Sequence, residues 1–428
     1  MDTQKSVLII GINFFPEPTG IGKYTGEFAF HLAQNGYKTK VLTGFPYYPH
    51  WKLAKGYHNL FYSREIINNV SVTRCPLYIP GKLGGLRRMM QDLTFFLSAL
   101  IALTGRVLIG KKYDMVFIPS PSFMSGFLGV YYRFFYRKSK IVYHIQDLQV
   151  DAAQELNMIK SKKLLEILKK AEGFILSRVD WVTTISTGML SKILAKPHKV
   201  RQYALFPNWV DFDKVYPKEP NLEKLSCLGF PLDKKLVFYS GAVGEKQGLE
   251  MVLDAASKAL VNLPELVFVI AGSGPFANIL SKKAAEKKLS NVFFIDLQPS
   301  DIFNELLNHA FLHLVIQKDK AANLLLPSKL TNILAVGGLC IVTASPNTTL
   351  YEIVAGNNVG VVVPPENAEA FWSALVTIST DSRTVDTLKE SAALFAKRNL
   401  EKESIIANFL ADTGMIFQAE RVVANAVS

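Results

Sequence analysis

Three short stretches of the 428-residue sequence are rich in glycine, two of them with lysine, in the way a phosphate group requires. The first is Phe14-Phe-Pro-Glu-Pro-Thr-Gly20-Ile-Gly22-Lys23, and the second is Ser240-Gly241-Ala-Val-Gly244-Glu245-Lys246-Gln-Gly248. The third is Ala271-Gly272-Ser273-Gly274-Pro275. Glycine lets backbone amides approach an anion closely, and a helix amino terminus favours negative charge by about 0.3–1 kcal/mol. Lys246 would add a fixed ammonium at a helix start, which suits a diphosphate. The first stretch spaces its glycines as Gly20-x-Gly22-x-x-x-Gly26, and the next strand, Lys38 to Thr43, ends without an acid. A nicotinamide or flavin dinucleotide wants GxGxxG and that acid, so neither cofactor is expected. Each glycine turn alone is weak evidence; the second and third, after neighbouring strands, would make a floor for a nucleotide.

These turns need strands to hold them, and the chain supplies short β-rich runs alternating with helical patterns. In the first half the runs are Val7–Ile12, Lys38–Leu42, Met115–Ile118, Ile141–Ile145 and Trp181–Ile185. In the second they are Leu236–Tyr239, Leu266–Ala271, Val292–Ile295, Phe311–Ile316, Cys340–Thr343 and Val359–Val363. Helices are expected between them, as at Lys23–Asn35 and Leu249–Leu260. The alternation stops near Phe206-Pro207-Asn208-Trp209-Val210-Asp211 and resumes at Lys235. The pattern predicts an α/β protein of two Rossmann-like, doubly wound parallel-sheet domains with a ligand cleft at the strands' carboxyl ends. The expected division is 1–207, 208–384 and a helical tail, 385–428.

Apolar residues make up 49% of the chain and charged residues 20%, which excludes a disordered or low-complexity protein. The net charge of +12 is confined to residues 1–140, where 18 basic side chains face 6 acidic ones. Such a segment wants an anionic partner. No recognition motif accompanies the charge, so nucleic acid is not expected. Leu93 to Gly105 is instead an uncharged, mostly apolar run, flanked by Lys82, Arg87 and Arg88 before it and by Arg106, Lys111 and Lys112 after it. A bilayer span needs about 20 residues, so the run reads either as a buried core helix or as a surface helix dipping into an anionic membrane. Met1 to Lys5 passes directly into a strand with no signal peptide, and the three separated cysteines suit a reducing compartment. The expected location is cytoplasmic, peripheral on the inner face of the membrane.

Taken in order, Pro-Glu-Pro-Thr-Gly-Ile-Gly-Lys-Tyr, Thr183-Thr-Ile-Ser186, Pro207-Asn-Trp-Val-Asp211, Gly241 with Glu245-Lys246, and Gly272-Ser-Gly274 resemble the retaining GT-B glycosyltransferases of family 4. Thr-Gly-Ile-Gly-Lys-Tyr-Thr-Gly-Glu, Pro-Tyr-Tyr-Pro and Pro-Ser-Lys-Leu are similar to the colanic-acid biosynthesis group within it. The resemblance implies transfer from a nucleotide-diphosphate sugar, GDP- or UDP-linked with fucose a candidate, to a lipid-diphosphate-linked saccharide during surface polysaccharide assembly. It also implies that the tail, 385–428, crosses back to the first domain, and that there is no resident cofactor and no essential metal. The family's paired glutamates fall on Leu324 and Asn332, so both carboxylates are missing, although Asn332 retains neutral hydrogen bonding to a ribose. Pro327, Ser328 and Lys329 remain suited to the diphosphate. The family's arginine after the glycine falls on Ala242, while its lysine is present as Lys246. A histidine of the middle strand falls on Gln146 in His144-Ile-Gln146-Asp147, which makes Asp147 and, on the same strand face, His144 candidates for the reacting centre. The expected donor residues are therefore Gly20, Gly22, Lys23, Gly241, Lys246, Gly272, Ser273, Gly274, Pro327, Ser328, Lys329 and Asn332. Asp211-Phe-Asp213 matches a bare DxD metal pattern, but its position in the connector favours a hinge acid. Two other readings are a nucleotide-sugar epimerase of the same architecture and an inactive scaffold lacking the glutamates.

Overall fold

The computed structural model describes residues 4–18, 20–81, 84–155, 161–318, 328–346 and 348–416. They form two compact units, Met1–Pro207 joined by the chain from Ile406 onward, and Asn208–Ile405. In the first unit the strands are β1 (Ser6–Gly11), β2 (Lys38–Gly44), β3 (Ser63–Ile67), β4 (Val70–Cys75), β5 (Met115–Ser120), β6 (Lys140–Ile145), β7 (Trp181–Thr184) and β8 (Gln202–Leu205). Their order is β3-β4-β2-β1-β5-β6-β7-β8, parallel except for the β3–β4 hairpin. The second unit holds β9 (Lys235–Ser240), β10 (Leu266–Ala271), β11 (Val292–Ile295), β12 (Leu312–Val315), β13 (Cys340–Thr343) and β14 (Val361–Val363). These pair in parallel in the order β11-β10-β9-β12-β13-β14.

Strand order reverses between β1 and β5 in one sheet and between β9 and β12 in the other. Crossover connections leave a crevice at such points, just beyond the strands' carboxyl ends. Both sheets are covered on two faces, so their strands are near-continuous apolar runs: β5 and β10 are buried at every residue. That continuity is why periodicity found the inner strands. It missed β8, three of whose four residues are exposed, and it missed β3 and β4 for two reasons. β3 is an edge strand carrying Arg64 and Glu65, and β4 carries Arg74, which reads as a surface residue yet is fully buried. The arginine is satisfied by an ion pair to Glu65, by the carbonyls of Phe15 at 2.8 Å and Gly44 at 3.3 Å, and by the Tyr57 ring.

The apolar run at 93–105 belongs to a longer helix, Gly85–Leu108, of 24 residues. By length and composition alone this helix could cross a bilayer. One face, with Phe95, Ala99 and Leu103, is nonetheless packed into the core of the first unit. The other face leaves Leu93, Leu97 and Ile101 exposed, Ile101 by 65%. It is thus half core helix and half open apolar stripe.

At the end of the chain, the helix Ser382–Asn399 buries Val385, Leu388, Ala392 and Ala396 in the second unit. The expected start of the return at 385 is therefore too early: an amphipathic helix stays with the sheet that covers its apolar face, and first-unit packing begins near Ile406. Phe409 then stacks on Phe206 at 4.2 Å and meets Phe28 and Phe117 edge-on. Lys140 Nζ donates to the Thr413 carbonyl at 2.6 Å, and the Tyr37 hydroxyl donates to Met415 at 2.6 Å.

Candidate active site

In the second unit the crevice beside β9 is built by two interlocked glycine turns. A Cβ on Gly272 would stand 1.9 Å from the Gly241 carbonyl oxygen, and one on Gly274 2.2 Å from that of Val243. Gly274 also has a φ of +159°, at the limit of what a side chain tolerates. The turns are stitched by Val243 N to Ser273 O at 3.0 Å and Phe276 N to Val243 O at 3.2 Å. From across the reversal point, the Lys318 amide just past β12 donates to the Lys246 carbonyl at 2.9 Å. Lys246 sits in the one-turn helix Glu245–Gln247 with its side chain exposed, next to these turns.

Lys329 opens the helix Ser328–Ala335 and reaches the same crevice. Its Nζ lies 3.9 Å from the centre of the Tyr239 ring and 3.5 Å from where a Gly241 Cβ would be. The Tyr239 hydroxyl is fixed by donating to the Ala242 carbonyl at 2.7 Å. No carboxylate among the described residues pairs with Lys329, and burial pulls its amine down to about 7. A desolvated ammonium over a π-surface is costly, and a phosphate would supply a counter-charge. Asn332 follows one turn later on the helix, half-buried. The structure thus brings together Gly241, Gly272, Ser273, Gly274 and Lys329, with Lys246 next to the turns and Asn332 on the Lys329 helix. Leu324 and Pro327 lie outside the described residues.

In the first unit the loop after β1 is organised by Glu17, which sequence reasoning did not single out. Its carboxylate is buried and accepts from Asn13 Nδ2 at 2.8 Å and from the Tyr47 and Tyr48 amides, each at 3.1 Å. Burial raises its pKa, with those hydrogen bonds opposing the rise. A Cβ on Gly22 would stand 2.6 Å from Glu17 Oε2. The space that looked like a phosphate cradle at Gly22 is therefore occupied by the chain's own carboxylate. Gly20 adopts φ +62° beside Tyr48, and the Lys23 Nζ lies 5.3 Å from the Tyr24 ring centre. These three residues shape a loop at the carboxyl edge of the sheet; the geometry that favours a phosphate is in the second unit.

His144, expected at the reacting centre, is instead a core residue. It is 2% exposed, stacks on Phe117 at 5.5 Å, and its Nδ1 meets Thr183 Oγ1 at 3.0 Å. Burial holds its imidazole neutral, with a pKa lowered to about 3. Asp147 lies two residues beyond β6, half-buried at the sheet's carboxyl edge. Asp211 is a paired connector acid: Lys214 contacts it at 2.7 Å and Lys402 at 3.7 Å. Burial pushes its pKa up, but the Lys214 hydrogen bond and the two ammonium charges outweigh this and hold it below the usual range.

Residues 19–209 match the model of the glycosyl transferase 4-like domain, and residues 223–395 that of glycosyl transferases group 1. With two doubly wound units, each carrying one of these signatures, the chain belongs to the glycosyltransferases of GT-B fold. It is 35% identical over 418 residues, 95% of this chain and 99% of the relative, to WcaI of Escherichia coli (strain K12), which is named as a colanic acid biosynthesis glycosyl transferase. Among solved structures, sucrose-phosphate synthase from Thermosynechococcus elongatus superposes with a TM-score of 0.72 at 16% identity, covering 99% of this chain and 100% of that one. Anabaena Alr3699/HepE in complex with UDP-glucose gives 0.66 at 12% identity, covering 95% and 99%. At such identities these two likenesses concern the fold.

Proposed function

We propose that the chain transfers a sugar from a nucleotide-diphosphate donor, GDP- or UDP-linked, to a lipid-diphosphate-linked saccharide in surface polysaccharide assembly, with the anomeric configuration retained. The observation that carries this reading is the desolvated Lys329 amine, with no carboxylate partner among the described residues, against the interlocked glycine turns of β9 and β10. A diphosphate set there meets Lys329 and, nearby, Lys246. The relative named for colanic acid biosynthesis supports the polysaccharide context, and the HepE complex shows that a protein of this fold holds UDP-glucose.

Transfer would proceed on one face of the donor sugar. The acceptor oxygen bonds to the anomeric carbon as the bond from that carbon to the diphosphate breaks, and the hydroxyl proton passes to the departing phosphate oxygen. The products are a glycoside and a nucleoside diphosphate. Lys329 and Lys246 would stabilise the charge that develops on the leaving group, so no step calls for a metal. The supply of positive charge in the first unit, together with the open apolar stripe of Gly85–Leu108, supports work at an anionic membrane surface.

Calorimetry of the purified protein against UDP and GDP tests the donor half. Binding of one of them, lost in Lys329→Met, is expected. Absence of any nucleoside diphosphate binding would favour the scaffold reading, and a free epimerised nucleotide sugar formed without acceptor would favour the epimerase.

A further inference from the structure

A group of cations lies toward the amino edge of the first-unit sheet, at the opposite end of its strands from the crevice, and is used by nothing described above. One face of β2 and β4 is covered by the helix Gly85–Leu108, which packs Phe95, Ala99 and Leu103 against Leu42 and Cys75. Side chains alternate along a strand, so Lys38 and Lys40 share this face with Leu42, and Ser71 and Thr73 share it with Cys75. Strand pairing sets Lys40 beside Ser71, Ser71 beside Ile66, and Thr73 beside Arg64. In the last turn of the helix, Arg106 Nη2 donates to Thr73 Oγ1 at 3.0 Å. The helix then ends, and the rung Lys40, Ser71, Ile66 lies beyond it: Lys40 and Ser71 are half-buried and Ile66 is 79% exposed.

This floor gathers positive charge and leaves it unmatched. Besides burial, the charges acting on Lys40 are those of Arg106, Lys111, Lys38 and Arg64, all of its own sign, and they hold its amine below the usual range. Acids beside these strands are engaged elsewhere. Glu65 lies on the other face of β3, paired with Arg74, and Asp114 accepts from the Ser6 amide at 2.7 Å and the Ser6 hydroxyl at 2.8 Å. The last helix carbonyls, which could draw a cation, are taken by the amides of Ile109, Gly110 and Lys111. Like charges gathered in this way repel one another, and an anion among them reverses the sign of the interaction. A phosphate presents several oxygens at once, so guanidinium, ammonium and hydroxyl donors converging from three strands and a helix end match it.

We propose that this floor is a phosphate site, in which Lys40 and Arg64 take the phosphate oxygens, Ser71 donates its hydroxyl between them, and Arg106, fixed by Thr73, closes the helix side. The exposed Ile66 beside Ser71 puts apolar surface at the rim, which suits a phosphate carried on an acyl chain. The ligand is accordingly the phosphate of an anionic lipid headgroup. Since the floor is at the far end of the strands from the crevice, it holds the lipid without entering the transfer, and it stands or falls independently of the donor reading.

The test is calorimetry on the full chain with monomeric dihexanoyl phosphatidic acid, with inorganic phosphate and dihexanoyl phosphatidylcholine as the other arms. Lys329→Met is measured alongside, so that phosphate taken by the second unit is counted separately. Phosphatidic acid is expected to bind about tenfold or more tightly than either of the other probes. Lys40→Gln and Arg64→Gln should each weaken it by about tenfold. Lys162→Gln, which removes the same charge from an exposed position elsewhere in the unit, should leave it unchanged. The urea midpoint of Lys40→Gln should hold or rise, because the substitution relieves repulsion. A lower midpoint with unchanged lipid binding would make Lys40 structural and overturn the site. Equal weakening by Lys162→Gln would reduce the effect to net charge and overturn it too, as would failure of the wild type to bind either phosphate. Inorganic phosphate bound as tightly as phosphatidic acid would overturn the lipid assignment in favour of free phosphate.

Discussion

Lys329 shows how one residue links burial to ligand chemistry. Its amine is lowered to about 7 because burial penalises the charged form. An anion beside it would favour that form and raise the pKa again. The sign follows: above pH 7 the free protein holds a mostly neutral Lys329, so binding a nucleoside diphosphate must take up a proton. Affinity should fall with rising pH above 7, by up to about tenfold per unit until the bound-state pKa is reached. Calorimetry at pH 8 in two buffers of different ionisation enthalpy reads the uptake directly; none would remove Lys329 from the site. Lys329→Met should lose nucleotide binding with no loss in urea midpoint, since it relieves a buried amine. The sequence showed Lys246 as a candidate by type and position, and the family resemblance added Lys329. It did not show which of the two is desolvated, because that depends on the Tyr239 ring from another strand. His144 marks the opposite limit. Its strand position is visible in the sequence, whereas the enclosure by Phe117 and Phe206 comes from neighbouring strands and loops and decides against catalysis.

At the scale of elements, the glycine turns are rigid because each closes the space of the other. Gly272→Ala places a methyl against the Gly241 carbonyl, and the backbone must shift, so a loss of about 1–3 kcal/mol or more in unfolding free energy is expected from denaturant titration. An unchanged midpoint would show that the turns are not interlocked in solution. The helix Gly85–Leu108 makes a separate prediction. Leu97 and Ile101 are 49% and 65% exposed, so replacing both by Glu should leave the fold intact and reduce partition into anionic vesicles by about tenfold. Co-sedimentation with vesicles measures it, and unchanged partition would return the helix to a purely structural role. In the sequence this helix looked too short because its flanking charges interrupt the apolar run. Its true length needed the packing of Gln91 and Phe95 against the unit's core to become visible.

At the scale of the whole molecule, the doubly wound architecture was legible because inner strands are buried on both faces and read as unbroken apolar runs. The edge hairpin β3–β4 was not, since buried Arg74 and edge charges disguise it. The positive excess within residues 1–140 predicts that high salt releases the protein from anionic vesicles and impairs use of a lipid acceptor more than nucleotide binding. Equal loss of both would mean that the charge serves the donor. The central claim, sugar transfer from a nucleotide to a lipid-linked acceptor, is tested most directly by one assay. Purified protein is incubated with a membrane lipid extract and a panel of radiolabelled UDP- and GDP-sugars, and label is counted in the organic phase. The account predicts transfer from one donor by the wild type and none by Lys246→Ala, whose urea midpoint should be unchanged. No organic-phase label from any donor, or full transfer by Lys246→Ala, would contradict it.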